Sequence, residues 1–263
     1  MLRLFALLTS LLVLPVAAQP PVRIAIIIDD LGNNRPLGRQ AVELPGPLTY
    51  AVLPQRPYSA DIAEWAHGRG KEVMLHLPMQ TSDGRDTGPG GLHLDMSRED
   101  FARGVQQSLD AVPHVSGVNN HMGSLLTRDA QAMRWLMEDL RCGGDLYFVD
   151  SRTDVRTVAR QSARDAGLPN AQRDVFLDNE QDASYVRQQL TGLIARARRH
   201  GSAIGIGHPH PQTLEVLAEV LPQLAAEGIE LVPVSRLVEK QRSEPIWHAC
   251  SSPWPTVAKN SKR

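Results

Sequence analysis

Residues 24–30 read Ile-Ala-Ile-Ile-Ile-Asp-Asp. Five apolar residues in a row, four of them isoleucine, predict a strand that is buried on both faces, as strands in helix-covered parallel sheets are. Asp29 and Asp30 follow at its carboxyl end, where open α/β sheets and (β/α) barrels place their active sites. Because adjacent carboxylates repel each other unless a cation or a proton lies between them, this pair predicts a metal-dependent active site.

The rest of the chain repeats the order strand, loop, helix about eight times. That alternation predicts parallel strands joined by helical crossovers, and 263 residues suit one such domain. We predict an α/β fold, a single-domain, distorted (β/α) barrel of seven or eight strands. Several predicted helices are short, so an open doubly wound sheet is the alternative. The predicted strands cover residues 24–28, 48–53, 72–77, 115–119, 146–149, 173–177, 202–207 and 229–234.

The first 18 residues have the composition of a signal peptide. A short, weakly basic start precedes an apolar run over residues 4–16, and small residues stand before a predicted cleavage site at Gln19. An uncleaved anchor is the alternative, although the run is short for a membrane span. Both interpretations predict a periplasmic protein. The barrel is predicted over 19–240, with a polar C-terminal tail over 241–263.

Charge and cysteine content narrow the possible partners. The 28 basic and 29 acidic residues nearly cancel, so nothing in the overall charge favours nucleic acid or an anionic membrane as partner. Two cysteines, Cys142 and Cys250, are present. In an oxidising compartment they either form a disulfide that ties the tail to the barrel or remain unrelated thiols; neither has metal-ligand spacing.

Polar residues gather at the carboxyl ends of the predicted strands, and a barrel would bring them to one mouth. A carboxylate with two imidazoles is a common zinc site that leaves a position open for water. Each of these polar residues also has a purely structural interpretation, such as a turn, a helix cap or a hydrogen-bonded histidine at the barrel end. Asp178 in particular is interpreted as a loop carboxylate. The residues are Asp29, Asp30, His76, Asn119, Asn120, His121, Asp150, Asp178, His208 and His210.

Five motifs occur in a characteristic order. They are IIIDDLG (26–32), VMLHLPMQ (73–80), NNHMGS (119–124), FVDSRT (148–153) and IGIGHPHPQT (204–213). Together they resemble the divergent polysaccharide deacetylase family over about residues 23–238. The resemblance implies a (β/α) barrel, secretion to the envelope and a divalent metal, usually zinc.

The resemblance also implies roles for individual residues. The first acid of the Asp-Asp pair is the general base in this superfamily and the second is a metal ligand, which makes Asp29 the base and Asp30 the ligand. The late histidine that acts as general acid corresponds best to His208, and His210 is the weaker candidate.

The histidine ligands depart from the superfamily pattern. The usual His-x-x-x-His motif is missing, because the fourth residue after His76 is Gln80. We therefore predict that His76 and His121 complete the metal site with Asp30. Asn120, Asp150 and His210 are predicted to support it.

The leading functional hypothesis is a periplasmic, metal-dependent deacetylase of an N- or O-acetylated envelope glycan. Water attacks the acetyl carbonyl, Asp29 takes its proton, and His208 protonates the leaving amine or alcohol. The second hypothesis is a non-catalytic barrel that binds a glycan or a protein partner. The third is a glycoside hydrolase that uses Asp29 or Asp30 with Asp150 and leaves the histidines without a role.

Overall fold

The strand predicted at residues 24–28 extends from Val22 to Leu31 and lies within the sheet rather than at its edge. The computed structural model describes residues 21–238. The strands there are β1 (Val22–Leu31), β2 (Thr49–Val52), β3 (Glu72–Met79), β4 (Val115–Met122), β5 (Tyr147–Asp150), β6 (Asn170–Gln172), β7 (Val175–Phe176), β8 (Ser202–Gly207) and β9 (Ile229–Leu231). The helices are α1 (Arg35–Val42), α2 (Ser59–His67), α3 (Arg98–Asp110), α4 (Ala130–Cys142), α5 (Ala159–Asp165), α6 (Ala183–His200) and α7 (Pro211–Val220).

The sheet is parallel throughout, with the order β6-β5-β4-β3-β2-β1-β8-β7. β6 pairs with β5 and β7 pairs with β8, and only Arg173 and Asp174 separate β6 from β7. This short stretch therefore links the two edges of the sheet and closes the barrel. The predicted α/β class and distorted (β/α) barrel are confirmed.

Two details of the predicted strands are wrong. The strand predicted at 173–177 is shorter, because only Val175–Phe176 pair with β8, and Asn170–Gln172 form a separate strand before it. Between these two strands the carboxylate of Asp174 accepts from Ile204 N and Arg196 Nε, at the point where the chain changes partner. The strand predicted at 229–234 ends at Leu231 and pairs only with the first residues of β1, off the order of the other eight strands. A 3-10 turn over Val234–Arg236 follows Pro233.

The sequence also predicts one helix over residues 214–227, and here the structure differs. It begins at Pro211 and is α-helical only to Val220, after which Leu221–Glu227 form a 3-10 helix. Pro222 lies at this junction and has no N–H to continue the α-helical hydrogen bonds.

Apolar residues form two layers, one on each face of the sheet. In β1 the outer face carries Ile24, Ile26 and Ile28, which belong to the large cluster beneath the helices. Ala25 and Ile27 belong to a smaller cluster that fills the barrel. Burial on both faces explains the unbroken apolar run. The two-residue period then makes Asp29 the next inward-facing residue, at the mouth of the barrel.

Side-chain caps determine where several helices begin. Ser97 Oγ accepts a hydrogen bond from Asp100 N at the start of α3, where the sequence predicts a cap. Asp129 accepts from Ala132 N before α4, and Asp182 accepts from Ser184 N before α6. These caps satisfy N–H groups that the helices leave free.

The predicted termini lie outside the described residues. This applies to the signal peptide at 1–18, the cleavage site at Gln19 and the tail at 241–263. In the part of the chain from 21 to 238, no helix is long and apolar enough to cross a membrane. Cys142 is the last residue of α4 and is disulfide-bonded. Cys250 lies outside the described residues, so the pairing of these two cysteines stays a prediction.

Candidate active site

A β-bulge turns both acids of the Asp-Asp pair towards the barrel mouth. Ile28 pairs with Tyr50 and Leu31 with Val52, so β1 advances three residues while β2 advances two. The extra residue lies at Asp29 and Asp30, and Asp30 has the left-handed φ of +59°. Without the bulge, alternation would direct the Asp30 side chain outward, beneath the helices. Aspartate tolerates this conformation better than most residues.

Three ligand atoms converge beside this bulge. Asp30 Oδ1 lies 2.8 Å from His121 Nδ1 and 3.1 Å from His76 Nε2, and His121 Nδ1 lies 3.1 Å from His76 Nε2. Asp30 Oδ1 is inaccessible to solvent, yet it accepts no hydrogen bond of good geometry. Ligands about 2.0–2.2 Å from a tetrahedral zinc ion are separated by roughly 3.3–3.5 Å, so these three donors fit a metal with small adjustments.

The protonation of two of the three donors, Asp30 and His121, suits a cation. Burial would raise the pKa of the Asp30 carboxyl, but the close approach of the His121 and His76 imidazoles outweighs it and holds that pKa well below its usual range. Burial lowers the pKa of His121, which favours the neutral imidazole that binds metals. Burial would also lower the pKa of His76, but the charges of Asp29 and Asp30 outweigh it and raise that pKa.

Asn119 joins the metal donors to the second acid. Its Oδ1 accepts a hydrogen bond from His76 Nδ1 at 2.7 Å, and its Nδ2 donates to Asp29 Oδ1 at 2.8 Å. The amide therefore fixes the His76 tautomer whose lone pair is on Nε2, the atom directed at Asp30. Asn119 is completely buried, so water does not compete for these bonds.

Asp29 is a buried carboxylate with an elevated proton affinity. Burial raises the pKa of its carboxyl, against the opposing effects of His76, His208 and the hydrogen bond from Asn119. Its Oδ2 lies 3.7 Å from His76 Nε2. A carboxylate held beside a metal site with a raised pKa can accept a proton.

His208 faces the same site from the opposite side and is held by Asp178. Its Nδ1 lies 2.9 Å from Asp178 Oδ1, and its backbone N–H donates to Oδ2 at 2.6 Å. Its Nε2 is free to face the site, 4.0 Å from Asp30 Oδ2. Burial would lower the pKa of His208, but the hydrogen bond and charge of Asp178 raise it to about 9. The imidazole is therefore protonated at neutral pH and can donate a proton.

A cavity of about 380 Å³ opens over these groups. This volume is within the usual range for small-molecule sites. Thr81 and Arg85 bring the glycine-rich segment that follows β3 into its wall. The remaining wall outside the acids and histidines is mostly polar and includes Ser124, Ser151, Thr153, Asn179 and the ring of Phe176.

Residues 26–238 match the family model described as divergent polysaccharide deacetylase. The match covers most of the chain, including every strand that supplies the site. The chain belongs to the divergent polysaccharide deacetylase family.

One protein and two solved structures illustrate what the chain is similar to. The chain is 37% identical over 218 residues to the uncharacterised protein YibQ of Escherichia coli, covering 83% of this chain and 68% of that protein. Its fold is similar to that of an uncharacterised protein of Agrobacterium tumefaciens, with a TM-score of 0.79 and 24% identity over 85% of this chain and 92% of the other. It is also similar to a CE4 family pseudoenzyme from Bacillus anthracis, with a TM-score of 0.51 and 14% identity over 86% and 68% of the two chains.

Gln80 stands at the position where the superfamily pattern predicts the second histidine of His-x-x-x-His, and its side chain has a different contact here. Gln80 Oε1 accepts a hydrogen bond from Leu94 N, so the side chain holds the glycine-rich segment and does not face the ligand atoms. His121, on the neighbouring strand β4, occupies the third position of the cluster instead.

Asn120 and Asp150, both predicted to support the site, hold the loop after β5. Asn120 Oδ1 accepts from Ser151 N, and Asn120 also lines the cavity. Asp150 is buried, and its carboxylate accepts from Arg152 N and Thr157 Oγ1. Asp150 therefore supports the loop after β5, which forms part of the cavity wall. It lies apart from the three metal donors.

His210 lies one residue before α7, at its N-cap. Its ring centroid is 5.7 Å from that of His208, and its Nε2 is 3.3 Å from Gln181 Nε2. With Asp178 and His208 it forms a second group of ligand-type atoms. The oxygens of Asp178 in that group are already occupied by His208 and by Thr213 Oγ1.

The sequence places two further residues, Asn119 and Asp178, at the barrel mouth but does not predict their positioning roles. Asn119 has no assigned role there, and Asp178 is interpreted as a loop carboxylate. A signal for Asn119 exists, because it lies two residues before His121 on one strand and therefore faces the same side. Asp178 gives no comparable signal, since its partner His208 is 30 residues away.

Proposed function

We propose that the protein is a metal-dependent hydrolase that removes acetyl groups from an acetylated polysaccharide or peptidoglycan-type glycan of the cell envelope. The observation that carries the proposal is the convergence of Asp30 Oδ1, His76 Nε2 and His121 Nδ1 around a point flanked by Asp29 and His208. The predicted signal peptide supports a periplasmic location.

Asp30, His76 and His121 would hold the divalent ion, with zinc favoured by the mixture of imidazole and carboxylate. When bound, such an ion lowers the pKa of a water molecule and polarises a carbonyl oxygen. Asn119 contributes by keeping His76 in the tautomer that presents Nε2.

Asp29 would act as the general base. It takes a proton from the attacking water as the oxygen of that water forms a bond to the acetyl carbon. Its buried position and the single hydrogen bond from Asn119 leave Oδ2 available for this proton. The raised pKa brings its proton affinity closer to that of the water it must deprotonate.

His208 would act as the general acid on the other side of the reacting carbon. As the bond from the acetyl carbon to the sugar nitrogen or oxygen breaks, Nε2–H protonates the leaving amine or alcohol. Asp178 stabilises the imidazolium and fixes Nδ1 as the bonded nitrogen, which leaves Nε2 directed at the site. The products are acetate and the deacetylated sugar.

A non-catalytic glycan-binding or partner-binding barrel is the second candidate. The loss of the usual His-x-x-x-His motif at Gln80 favours it, as does the similarity in fold to a CE4 family pseudoenzyme. The glycoside hydrolase alternative has less support, because both Asp150 oxygens are engaged by the loop that follows β5.

Acetate release by the zinc-loaded protein tests the proposal, with fully N-acetylated chitotetraose (hereafter chitotetraose), acetylated xylan and peptidoglycan fragments as substrates. We expect turnover on at least one, and loss of at least about 10²-fold in kcat on Asp29→Asn, since general bases contribute about 10²–10⁴-fold. Zinc content serves as the control, because Asp29 is not among the proposed ligands. Binding of a glycan with no acetate release would favour the second candidate.

A further inference from the structure

Ser151 lies directly after β5 and continues its inward-facing row. Tyr147 and Val149 belong to the cluster that fills the barrel, so the two-residue period directs Ser151 to the same side. Ser151 is 2% exposed and lines the cavity above the metal donors. β4 and β5 pair as far as Asn119 and Val149, and Ser151 N donates to Asn120 Oδ1, so Ser151 lies near the end of β4 that carries His121.

The backbone at Ser151 is held rigidly. Its N–H donates to Asn120 Oδ1 at 2.9 Å, and its carbonyl accepts from Arg173 Nε at 2.7 Å. The next residue, Arg152, has a φ of +50°; its N–H donates to Asp150 Oδ1 and its carbonyl accepts from Arg173 Nη2. Left-handed backbone outside glycine persists where surrounding contacts enforce it, commonly at functional sites. The position of Ser151 is thus set before any ligand enters.

The backbone N–H and carbonyl of Ser151 are hydrogen-bonded, but within the described part of the chain its side-chain hydroxyl is not. Ser151 Oγ is buried and has no hydrogen-bond partner among residues 21–238. A buried hydroxyl without a partner destabilises the fold, and most native hydroxyls avoid it. A buried hydroxyl without a partner, on a rigid loop beside a cavity, is suited to form a hydrogen bond with a ligand that binds there.

We infer that Ser151 is a substrate-binding residue whose hydroxyl donates a hydrogen bond to the carbonyl oxygen of the acetyl group. This inference rests on the proposed function, because the acetyl group is the part of the substrate that must reach the metal donors. Ser151 lines the same cavity as Asp30, His76 and His121, in which the acetyl group would bind. A donor directed there stabilises the charge that develops on the oxygen during attack.

Ser108 provides a matched control. It is completely buried and its Oγ also lacks a partner among the described residues, but it lies in α3 and does not line the cavity. Both Ser151→Ala and Ser108→Ala remove an unpartnered buried hydroxyl, so neither variant should be less stable than the wild type in urea. Zinc content should equal that of the wild type in both.

The zinc-loaded wild type, Ser151→Ala and Ser108→Ala are compared in acetate release from chitotetraose and in binding of chitotetraose by calorimetry. We expect kcat/KM to fall by about 10²-fold in Ser151→Ala, as for other oxyanion donors, and to be unchanged in Ser108→Ala. Ser151→Thr, which keeps the hydroxyl, should recover part of the loss.

The binding measurement separates this inference from the proposed function. If the wild type binds chitotetraose without releasing acetate, and Ser151→Ala alone binds at least tenfold more weakly, the hydroxyl contacts the glycan and the deacetylase proposal fails. Equal turnover and equal binding in Ser151→Ala and the wild type would overturn the inference and leave the deacetylase proposal standing. Absence of both binding and turnover in all three proteins would overturn both.

Discussion

Asn119 Nδ2 donates a hydrogen bond to Asp29 Oδ1 at 2.8 Å, between side chains that are 90 residues apart in the chain. The same amide accepts from His76 Nδ1 through Oδ1. One buried side chain therefore orients both the proposed base and a proposed metal ligand. Because both of its bonds are to groups that the fold buries, no water can replace it.

Substitution of Asn119 should weaken metal binding and activity together. Asn119→Ala removes the hydrogen-bond donor to Asp29 and the acceptor that fixes the tautomer of His76. We therefore expect zinc affinity to fall by about 10–100-fold. Unfolding in urea should show a loss of about 1–3 kcal/mol, because buried polar atoms are left without partners.

Asn170→Ala is the control for that variant. Asn170 is equally buried, and its Nδ2 donates to Leu168 O at the start of β6, apart from the site residues. We expect a similar loss of stability with unchanged zinc affinity. Equal zinc affinities in Asn119→Ala and Asn170→Ala would contradict the role assigned to Asn119.

Zinc should stabilise the wild-type fold, and this stabilisation should depend on the three converging donors. A ligand at 100 times its Kd adds about 2.7 kcal/mol to the free energy of unfolding. We expect zinc to raise Tm in the wild type and in His114→Ala, whose imidazole lies at the surface against His67. Asp30→Ala and His121→Ala should show no such rise. A full zinc shift in either variant would exclude the proposed ligand set.

The activity should decline on the alkaline side because His208 must be protonated to donate a proton. Asp178 raises the pKa of His208 to about 9, so the protonated form is lost as the pH rises through that value. We therefore expect kcat/KM to fall above about pH 9. In Asp178→Asn the negative charge is gone while burial still lowers the pKa of His208, so the fall should begin at lower pH.

Asp182→Asn controls for the loss of a carboxylate. Asp182 caps α6 through Ser184 N and Tyr185 N, and asparagine caps helices equally well. Its pH profile should match that of the wild type. If kcat/KM of Asp178→Asn falls at the same pH as kcat/KM of the wild type, a group other than His208 controls the decline.

The fold could be predicted from the sequence because residues 24–28 form an unbroken apolar run, and a run this short and rich in isoleucine is typical of a strand buried on both faces. The inward position of Asp29 follows from the two-residue period of that strand. The placement of Asp30 does not follow, because the bulge depends on how β1 aligns with β2, which lies about twenty residues later in the sequence. The alternation of β1 alone would direct this side chain beneath the helices.

The partners of site residues were the hardest features to predict. His121 could be chosen because it stands at a strand end, whereas the bonds of Asn119 to Asp29 and of Asp178 to His208 join separate strands. The break between β6 and β7 arises in the same way, since Asp174 is held by Arg196 on α6. Such pairings form only in the folded barrel, and local sequence patterns do not predict them.

Gly117 on β4 faces the ring of Tyr147 on β5 without room for a side chain between them. A Cβ at Gly117 would lie 2.3 Å from Tyr147 Cε2 and 2.4 Å from Cζ, well inside van der Waals contact. The two residues pair across the strands, and the tyrosine ring is buried. Because a ring inside a closed barrel has little room to move, Gly117→Ala should lower the free energy of unfolding by about 1–3 kcal/mol.

Gly192→Ala is the matched substitution, because a Cβ at Gly192 on α6 meets no atom within 4 Å. Replacing glycine by alanine inside a helix should raise the free energy of unfolding by about 0.5–1 kcal/mol. Gly117→Ala should therefore lower the free energy of unfolding whereas Gly192→Ala should raise it, and urea denaturation measures both changes. The double variant Gly117→Ala/Tyr147→Leu should recover part of the loss, since the smaller side chain makes room for the added methyl group. If the two substitutions are instead additive, the clash with Tyr147 is not the cause of the destabilisation.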